Sequence, residues 1–344
     1  MFNINDPTMN QHLLYTKDLT IGYREKGKKS MVVHSSLNVK LQPGEFTCLL
    51  GPNGSGKSTL IKTFAGFQKA LQGQILLDNQ EIQHFRERDL AKLVSVVLTD
   101  KTHAGNMSVF ELVSMGRHPY TGFFGNLTRA DLRKVYHAIE SVGMISMKQR
   151  LVNELSDGER QKAMIAKALA QQTPIIILDE PTAYLDLPSR IEIMQLLHNL
   201  SGQMQKAVLL STHDLEQALR FADKIWLLGT DNQVRSGTPE DLILAGQFKQ
   251  FFERKGIRFD NLSGTFKITN PQAKKVKVVG KGLEYNWVLN ALRRNGYTEA
   301  SEADLSIEIR RNGSMNYLLR KSNGEGIETR SVENLIHQIK ALDG

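Results

Sequence analysis

Residues 51 to 59 read Gly51-Pro52-Asn53-Gly54-Ser55-Gly56-Lys57-Ser58-Thr59, a spacing of glycines, lysine and hydroxyls suited to a chain of phosphates. Glycines let successive backbone N–H groups turn inward on an anion. Lys57 then reaches the β- and γ-phosphates of a nucleoside triphosphate, and the Ser58 hydroxyl ligates Mg2+. A second run, Ile175-Ile176-Ile177-Leu178-Asp179-Glu180, uses four apolar residues to deliver an acidic pair to the end of a strand. Ligands of open α/β sheets bind at that edge. Asp179 is placed there to hold the metal, directly or through water, and Glu180 to polarise an attacking water as base. A third run, Leu155-Ser156-Asp157-Gly158-Glu159-Arg160-Gln161, has the form of a capping box, with Ser156 opening a helix and Glu159 three residues on. Ser211-Thr212-His213-Asp214 sets a histidine just after another apolar run.

The elements that must position these groups are short apolar strands at 46–50, 93–98, 175–178, 207–210 and 224–228. Runs of this kind, apolar throughout rather than alternating, predict a mostly parallel sheet covered on both faces. Helical patterning at 109–113, 131–142 and 158–170 predicts an inserted helical subdomain over about 105–170. After residue 258 the pattern changes. Residues 305–309 alternate like a half-exposed strand, Asn312-Gly313 is a hairpin turn, and 316–320 is the returning strand. Trp287, Val288, Ala291 and Leu292 fall on one helical face, as do Val332, Leu335, Ile336 and Ile339, so a separate small α+β domain is expected over 259–344. Gly280-Lys281-Gly282, following an apolar strand, reads as a turn.

With 344 residues, 40% hydrophobic and 23% charged, the chain can bury one large core and a smaller second one. Its apolar runs are far shorter than the roughly 18 to 20 residues that cross a bilayer, and the first ten residues form no apolar signal core, so the expectation is a cytoplasmic protein. Cys48 is the single cysteine; it excludes an intrachain disulfide and reads as a buried strand thiol. The net charge of +8 comes from lysines and arginines spread along the chain, which favours a solvated basic surface over a nucleic-acid site.

The phosphate loop, the acidic pair and the run at 155–161, in this order, resemble the ATP-binding cassette family over roughly residues 12–250, with Asp157 at the variable third position of that family's signature. The resemblance implies an α/β fold: a P-loop (RecA-like) ATPase core with a mostly parallel sheet and an inserted helical subdomain, making residues 1–258 a nucleotide-binding domain. It also implies two cassettes packed head to tail, so that Ser156 and Gly158, with Glu159 beside them, close over the γ-phosphate held by the partner's loop. A helix N-terminus gives that contact its physical basis. By the same resemblance Asp186, in Ala183-Tyr184-Leu185-Asp186, belongs to the loop through which cassettes sense each other, His213 is the switch histidine that holds Glu180 and the water in line, and Tyr23 stacks on the adenine.

One position departs from the family. A glutamine that ligates Mg2+ and links the site to the membrane partner usually follows the second-lobe strand, whereas here that strand runs into Thr99-Asp100-Lys101. Thr99 or Asp100 offers an oxygen to the metal on a shorter side chain. The stretch from Asn106 to Tyr120 is similar to the segment that, in importers of iron-siderophore, heme and cobalamin, receives a coupling helix of the permease. The resemblance therefore implies an ATPase subunit of such an importer, a homodimer of cassettes on the cytoplasmic face of the inner membrane, working with integral-membrane permease subunits and an extracytoplasmic substrate-binding protein on ATP and Mg2+, with no nucleic acid. The competing expectation is a soluble cassette ATPase acting on nucleic acid or ribosomes; against it, the chain has neither a second cassette nor a long coiled-coil insertion. The tail beyond residue 258 is not expected to extend the resemblance.

Overall fold

A computed structural model describes residues 13–24, 30–98, 106–122, 124–229, 231–253, 257–260, 264–268, 272–312, 314–322, 324 and 326–343. The chain divides into two compact units, Met1–Phe251 and Phe252–Gly344, a little ahead of the change of pattern after residue 258.

Six strands make the central sheet of the first unit, in the order Val234–Gly237, Lys224–Leu228, Phe46–Leu50, Ala207–Thr212, Ile175–Asp179, Val94–Val97. All neighbours are parallel except the edge strand Val234–Gly237. Every residue of Phe46–Leu50, Ile175–Asp179 and Ala207–Thr212 is buried, as unbroken apolar runs demand of a sheet covered on both faces. Cys48 lies inside this sheet, where burial, with the charge of Asp223 adding to it, pushes the thiol far above its usual titration range.

A second, antiparallel sheet was not legible in the apolar runs. It comprises Met31–Leu37, Leu14–Tyr23, Gln72–Leu77 and Gln80–Glu81, with Lys40–Leu41 pairing beside Leu14–Tyr23. Polar residues interrupt its strands: Lys17 and Asp18 meet solvent, while the Thr16 hydroxyl is buried and bonded to the Leu37 carbonyl and the Val39 amide. Leu14, Leu19, Ile21 and Leu77 from this sheet share one buried cluster with Leu49, Ile177, Leu209 and Trp226 of the central sheet. The helix Lys57–Phe64 contributes Leu60, Ile61 and Phe64 to the same cluster, each worth about 1.5–3 kcal/mol for the area it removes from water. Phe64 meets Trp226 edge to face, with centroids 6.3 Å apart. The helix that opens at the phosphate loop is thereby anchored between two sheets.

In the second unit the strand order is Tyr297–Glu299, Lys274–Val279, Leu305–Asn312, Ser314–Lys321, Ile327–Thr329. The hairpin expected around residue 313 is present as the antiparallel pair Leu305–Asn312 and Ser314–Lys321; Gly313 itself lies outside the described residues. Val288, Leu289 and Leu292 from Leu283–Arg294, and Leu335 and Ile339 from Val332–Asp343, pack on Val276, Ile307, Tyr317 and Leu319. Trp287 corrects the predicted helical face: it is 62% exposed, because the buried stripe runs through Val288, Leu289, Ala291 and Leu292 and leaves the preceding position at its border. Gly282 turns the chain from Lys274–Val279 into Leu283–Arg294 at φ 90°, ψ −156°, a conformation open essentially to glycine alone.

Three helices, Val109–Ser114, Arg129–Ser141 and Asp157–Ala170, form the helical subdomain, and each opens with a reciprocal capping box. Arg117 pins them together. Only 1% exposed, it bonds Asp131 at 2.9 Å from the start of one helix and the Ala170 carbonyl at 2.7 Å from the end of another, and its guanidinium lies 3.9 Å from the centre of the Tyr120 ring. Removing one partner of a buried ion pair strands the other, so Arg117→Met should destabilise the unit by about 3–5 kcal/mol in urea unfolding. The Thr128 hydroxyl and amide, with Arg117 reinforcing them, hold the Asp131 carboxyl below the usual carboxylate range. A depressed folded value lends stability above the unfolded pKa of about 3.9 and loses it as pH falls through the folded one. The stability deficit of Asp131→Asn should therefore shrink as unfolding is measured from pH 6 downward past about pH 4.

Candidate active site at the carboxyl edge of the central sheet

The phosphate loop leaves the strand Phe46–Leu50 and enters the helix Lys57–Phe64. Gly54 and Gly56 sit at φ 78° and 91°, left-handed conformations that glycine adopts without steric cost and that let the loop turn tightly. At Gly51 the neighbours leave no room for a side chain: a Cβ would lie 2.7 Å from the Leu228 carbonyl oxygen. Lys57 is almost wholly buried and turns back on the loop, donating to the carbonyls of Gly51 at 2.9 Å and Pro52 at 3.3 Å. Burial lowers its pKa, while Glu180 and Asp179 pull the other way. Ser58 points to solvent and Thr59 is buried. The Thr59 hydroxyl shares a 2.8 Å hydrogen bond with the Tyr23 hydroxyl, whose ring stays about half exposed beside the loop.

Asp179 closes the strand Ile175–Asp179 and Glu180 follows it, one strand removed from the phosphate-loop strand, with Ala207–Thr212 between them. Glu180 reaches Lys57 Nζ at 3.9 Å with one carboxylate oxygen and His213 Nδ1 at 3.7 Å with the other. The structure thus brings together the lysine, the acidic pair and the histidine singled out in the sequence. It adds a residue the motif reading passed over. The fully buried Ser211 hydroxyl donates to Asp179 Oδ1 at 2.5 Å and accepts from the Glu180 N–H at 2.9 Å, while its carbonyl accepts from the same N–H at 3.1 Å. Glu180 is held at φ 46°, left-handed for a residue that is not glycine, and this clamp accounts for its persistence there. Ser211 stands in the run that carries His213, but only the pairing Asp179↔Ser211 between neighbouring strands reveals its contact with the acidic pair. Ser58, which is exposed, and Asp179, which is buried, carry oxygens of the kind Mg2+ takes. Thr99 and Asp100 lie outside the described residues.

The remaining candidates do not join this cluster within one chain. Ser156 and Glu159 make the reciprocal cap of Asp157–Ala170, at 2.8 and 3.2 Å, and Glu159 faces Arg150 at 3.6 Å. The Ser156 amide, more than any charge nearby, holds the Glu159 carboxyl below its ordinary value. Gly158 lies against Ser189, 3.0 Å from where a Cβ would be. None of the hydrogen bonds or ion pairs of Ser156, Gly158 and Glu159 among the described residues reaches the phosphate loop. Asp186 caps Leu187–Met204 by accepting from the Ser189 amide at 3.1 Å. Beside Val109–Ser114 an open groove of about 380 Å3 is lined by Phe110, Met115, His118, Thr121, Gly125 and Leu127, with Met107 and Phe124 also exposed in this section.

Residues 34–183 match the ABC transporter family, and residues 273–340 match the iron ABC transporter C-terminal domain. The tail therefore does extend the relationship, contrary to the expectation from its sequence. An ABC transporter ATP-binding protein of Methanocaldococcus jannaschii, MJ0873, is 38% identical over 83% of this chain and 97% of its own. The iron(3+)-hydroxamate import ATP-binding protein FhuC of Bacillus subtilis is 36% identical over 70% of this chain and 87% of its own. Among solved structures, cbiO1 of Clostridium perfringens, part of the transporter complex cbiONQ, superposes with a TM-score of 0.61 at 27% identity, covering 70% of this chain and 93% of that one. The dimeric cassette MJ0796 gives 0.56 at 26% identity, over 66% and 98%.

Ser211→Ala removes the hydroxyl that holds both acidic residues while leaving the strand apolar and filled. The steady-state rate of phosphate release from ATP should fall about tenfold, the loss of one well-placed hydrogen bond to a charged group, with a smaller change in KM.

Proposed function

Because the chain belongs to the ABC transporter ATP-binding family, we propose that it is the ATP-hydrolysing subunit of an importer of iron chelates, with heme or cobalamin as related cargo. It is an ATPase of that family. The single observation that carries the chemistry is Glu180, fixed at a strand end between Lys57 and His213. Import of an iron chelate is supported by the names of relatives such as FhuC and by the iron transporter match of the tail, which favour it over a soluble ATPase acting on nucleic acid or ribosomes.

In this reading Lys57 exchanges the carbonyls of Gly51 and Pro52 for the β- and γ-phosphates, so a buried cation that already faces oxygen keeps its pairing when nucleotide enters. Tyr23 lies against the adenine. Ser58 and Asp179, with Thr99 or Asp100 as a further candidate, would hold Mg2+, which when bound neutralises phosphate charge. Glu180 accepts the proton of the water that attacks the γ-phosphorus in line, and His213 orients that carboxylate. Ser156, Gly158 and Glu159, idle toward their own loop, face the γ-phosphate of a second copy, and Asp186 lies in the loop between the two. Each helix N-terminus then meets an anion, so ATP binds the closed dimer better than the open one and shifts the population toward it. The groove at Phe110–Leu127 takes the permease, which places the protein on the cytoplasmic face of the membrane, with an extracytoplasmic binding protein delivering the chelate; among the described residues no helix is long and apolar enough to cross the membrane.

Glu180→Gln should lower ATP turnover at least about 100-fold while ATP binding persists, and light scattering should show an ATP-dependent doubling of mass. An unchanged rate would remove the glutamate from the mechanism. The same variant, isolated from its own membranes in mild detergent with MgATP, should bring a polytopic permease in near-equal amount. A pool carrying only RNA or DNA would refute the importer reading.

A further inference from the structure

The antiparallel sheet touches the phosphate loop at a second point besides Tyr23. His34, in the strand Met31–Leu37, is 2% exposed, and its Nε2 lies 2.7 Å from the Ser55 carbonyl oxygen in the middle of the loop. A carbonyl oxygen only accepts, so Nε2 carries the proton and donates it. The ring also backs the turn at Gly56: a Cβ there would meet Val33 Cγ1 at 2.5 Å and His34 Cδ2 at 3.2 Å. The other ring nitrogen, Nδ1, is buried with no hydrogen-bond partner among the described residues. A leucine would occupy this space without an orphaned nitrogen, so packing alone does not account for the histidine. The bond to the loop does.

We infer that His34 is a positioning residue for nucleotide binding. It fixes the Ser55 peptide so that the N–H groups of the loop stand ready for phosphate before ATP arrives. His34 pairs with Ile21 across the two strands, and Tyr23, two residues on, bonds Thr59 at the far end of the loop. The two strands thus hold the loop at its middle and at its end. Such preorganisation removes part of the ordering entropy that binding otherwise meets, and it acts on affinity for nucleotide rather than on the proton transfer at Glu180. The inference rests on ATP occupying this loop and is independent of what the transporter carries.

Three variants separate the hydrogen bond from the packing. In His34→Gln the amide Nε2 stands the same number of bonds from the backbone as the histidine Nε2 and can donate to Ser55. The His34→Asn amide is polar but one bond short, and His34→Leu fills space without a donor. Binding of a fluorescent ATP analogue to the full chain, together with KM and kcat for ATP, is the measurement. Gln should bind within about twofold of the parent, while Asn and Leu weaken binding and raise KM about fivefold at nearly constant kcat, the factor one neutral hydrogen bond carries. Equal affinity in the parent and all three variants, or a Gln variant as weak as Asn, would overturn the assignment. A fall in kcat with unchanged affinity would do the same. Total loss of binding in every variant, the parent included, would instead count against ATP at this loop.

Discussion

Parallel neighbours in a sheet finish at the same edge, and here the pairings Leu50↔Thr212 and Asp179↔Ser211 align three strand ends to within one residue. The chain that follows each end therefore starts from nearly one place: the phosphate loop after Leu50, Glu180 after Asp179, His213 after Thr212. Lys57 and Glu180, more than a hundred residues apart in sequence, come within 3.9 Å, and His213 comes within 3.7 Å of the same carboxylate. Nothing within the loops themselves could enforce this. The buried apolar strands do, because a one-residue slip would turn every side chain of a strand to the opposite face and pull its functional end out of line.

On that base the electrostatics are arranged so that a cation stays charged where water is scarce. Lys57 is buried, which opposes its charge, yet carbonyl oxygens and two carboxylates surround it. The site is thus already furnished for the oxygens of a phosphate. Glu180, whose backbone is left-handed and whose N–H is bonded to Ser211, faces the lysine at 3.9 Å rather than in a tight ion pair. A carboxylate locked into close contact with Lys57 would make a poor base for water.

Much of this could be read directly. The buried strands, the three helices of the subdomain and the glycine loop follow from apolar runs and from helical spacing, and their positions agree with the structure to within a few residues. The antiparallel sheet escaped because its strands mix apolar and polar residues without a run, so that its existence depends on what it packs against. The roles of Ser211 and His34 escaped for a related reason: each acts through a contact with a distant part of the chain, one with Asp179 and one with Ser55, which no spacing of nearby residues announces. Trp287 was misplaced because the helical stripe has an edge, and one residue of phase decides on which side a side chain falls. The kinship of the tail lay hidden in a pattern of alternating strands that many small domains share.

The single cysteine has a consequence of a practical kind. Cys48 is fully enclosed by the central sheet, and its thiol is held protonated by that enclosure. Thiolate is the species that maleimides and methanethiosulfonates attack, and here neither the ion nor a path to it is offered. The native protein is for such reagents a blank surface. A cysteine introduced at any exposed position would be the one reactive sulfur in the folded chain, so a spin label, a dye pair or a crosslinker could report on a chosen spot without first removing a residue from the core.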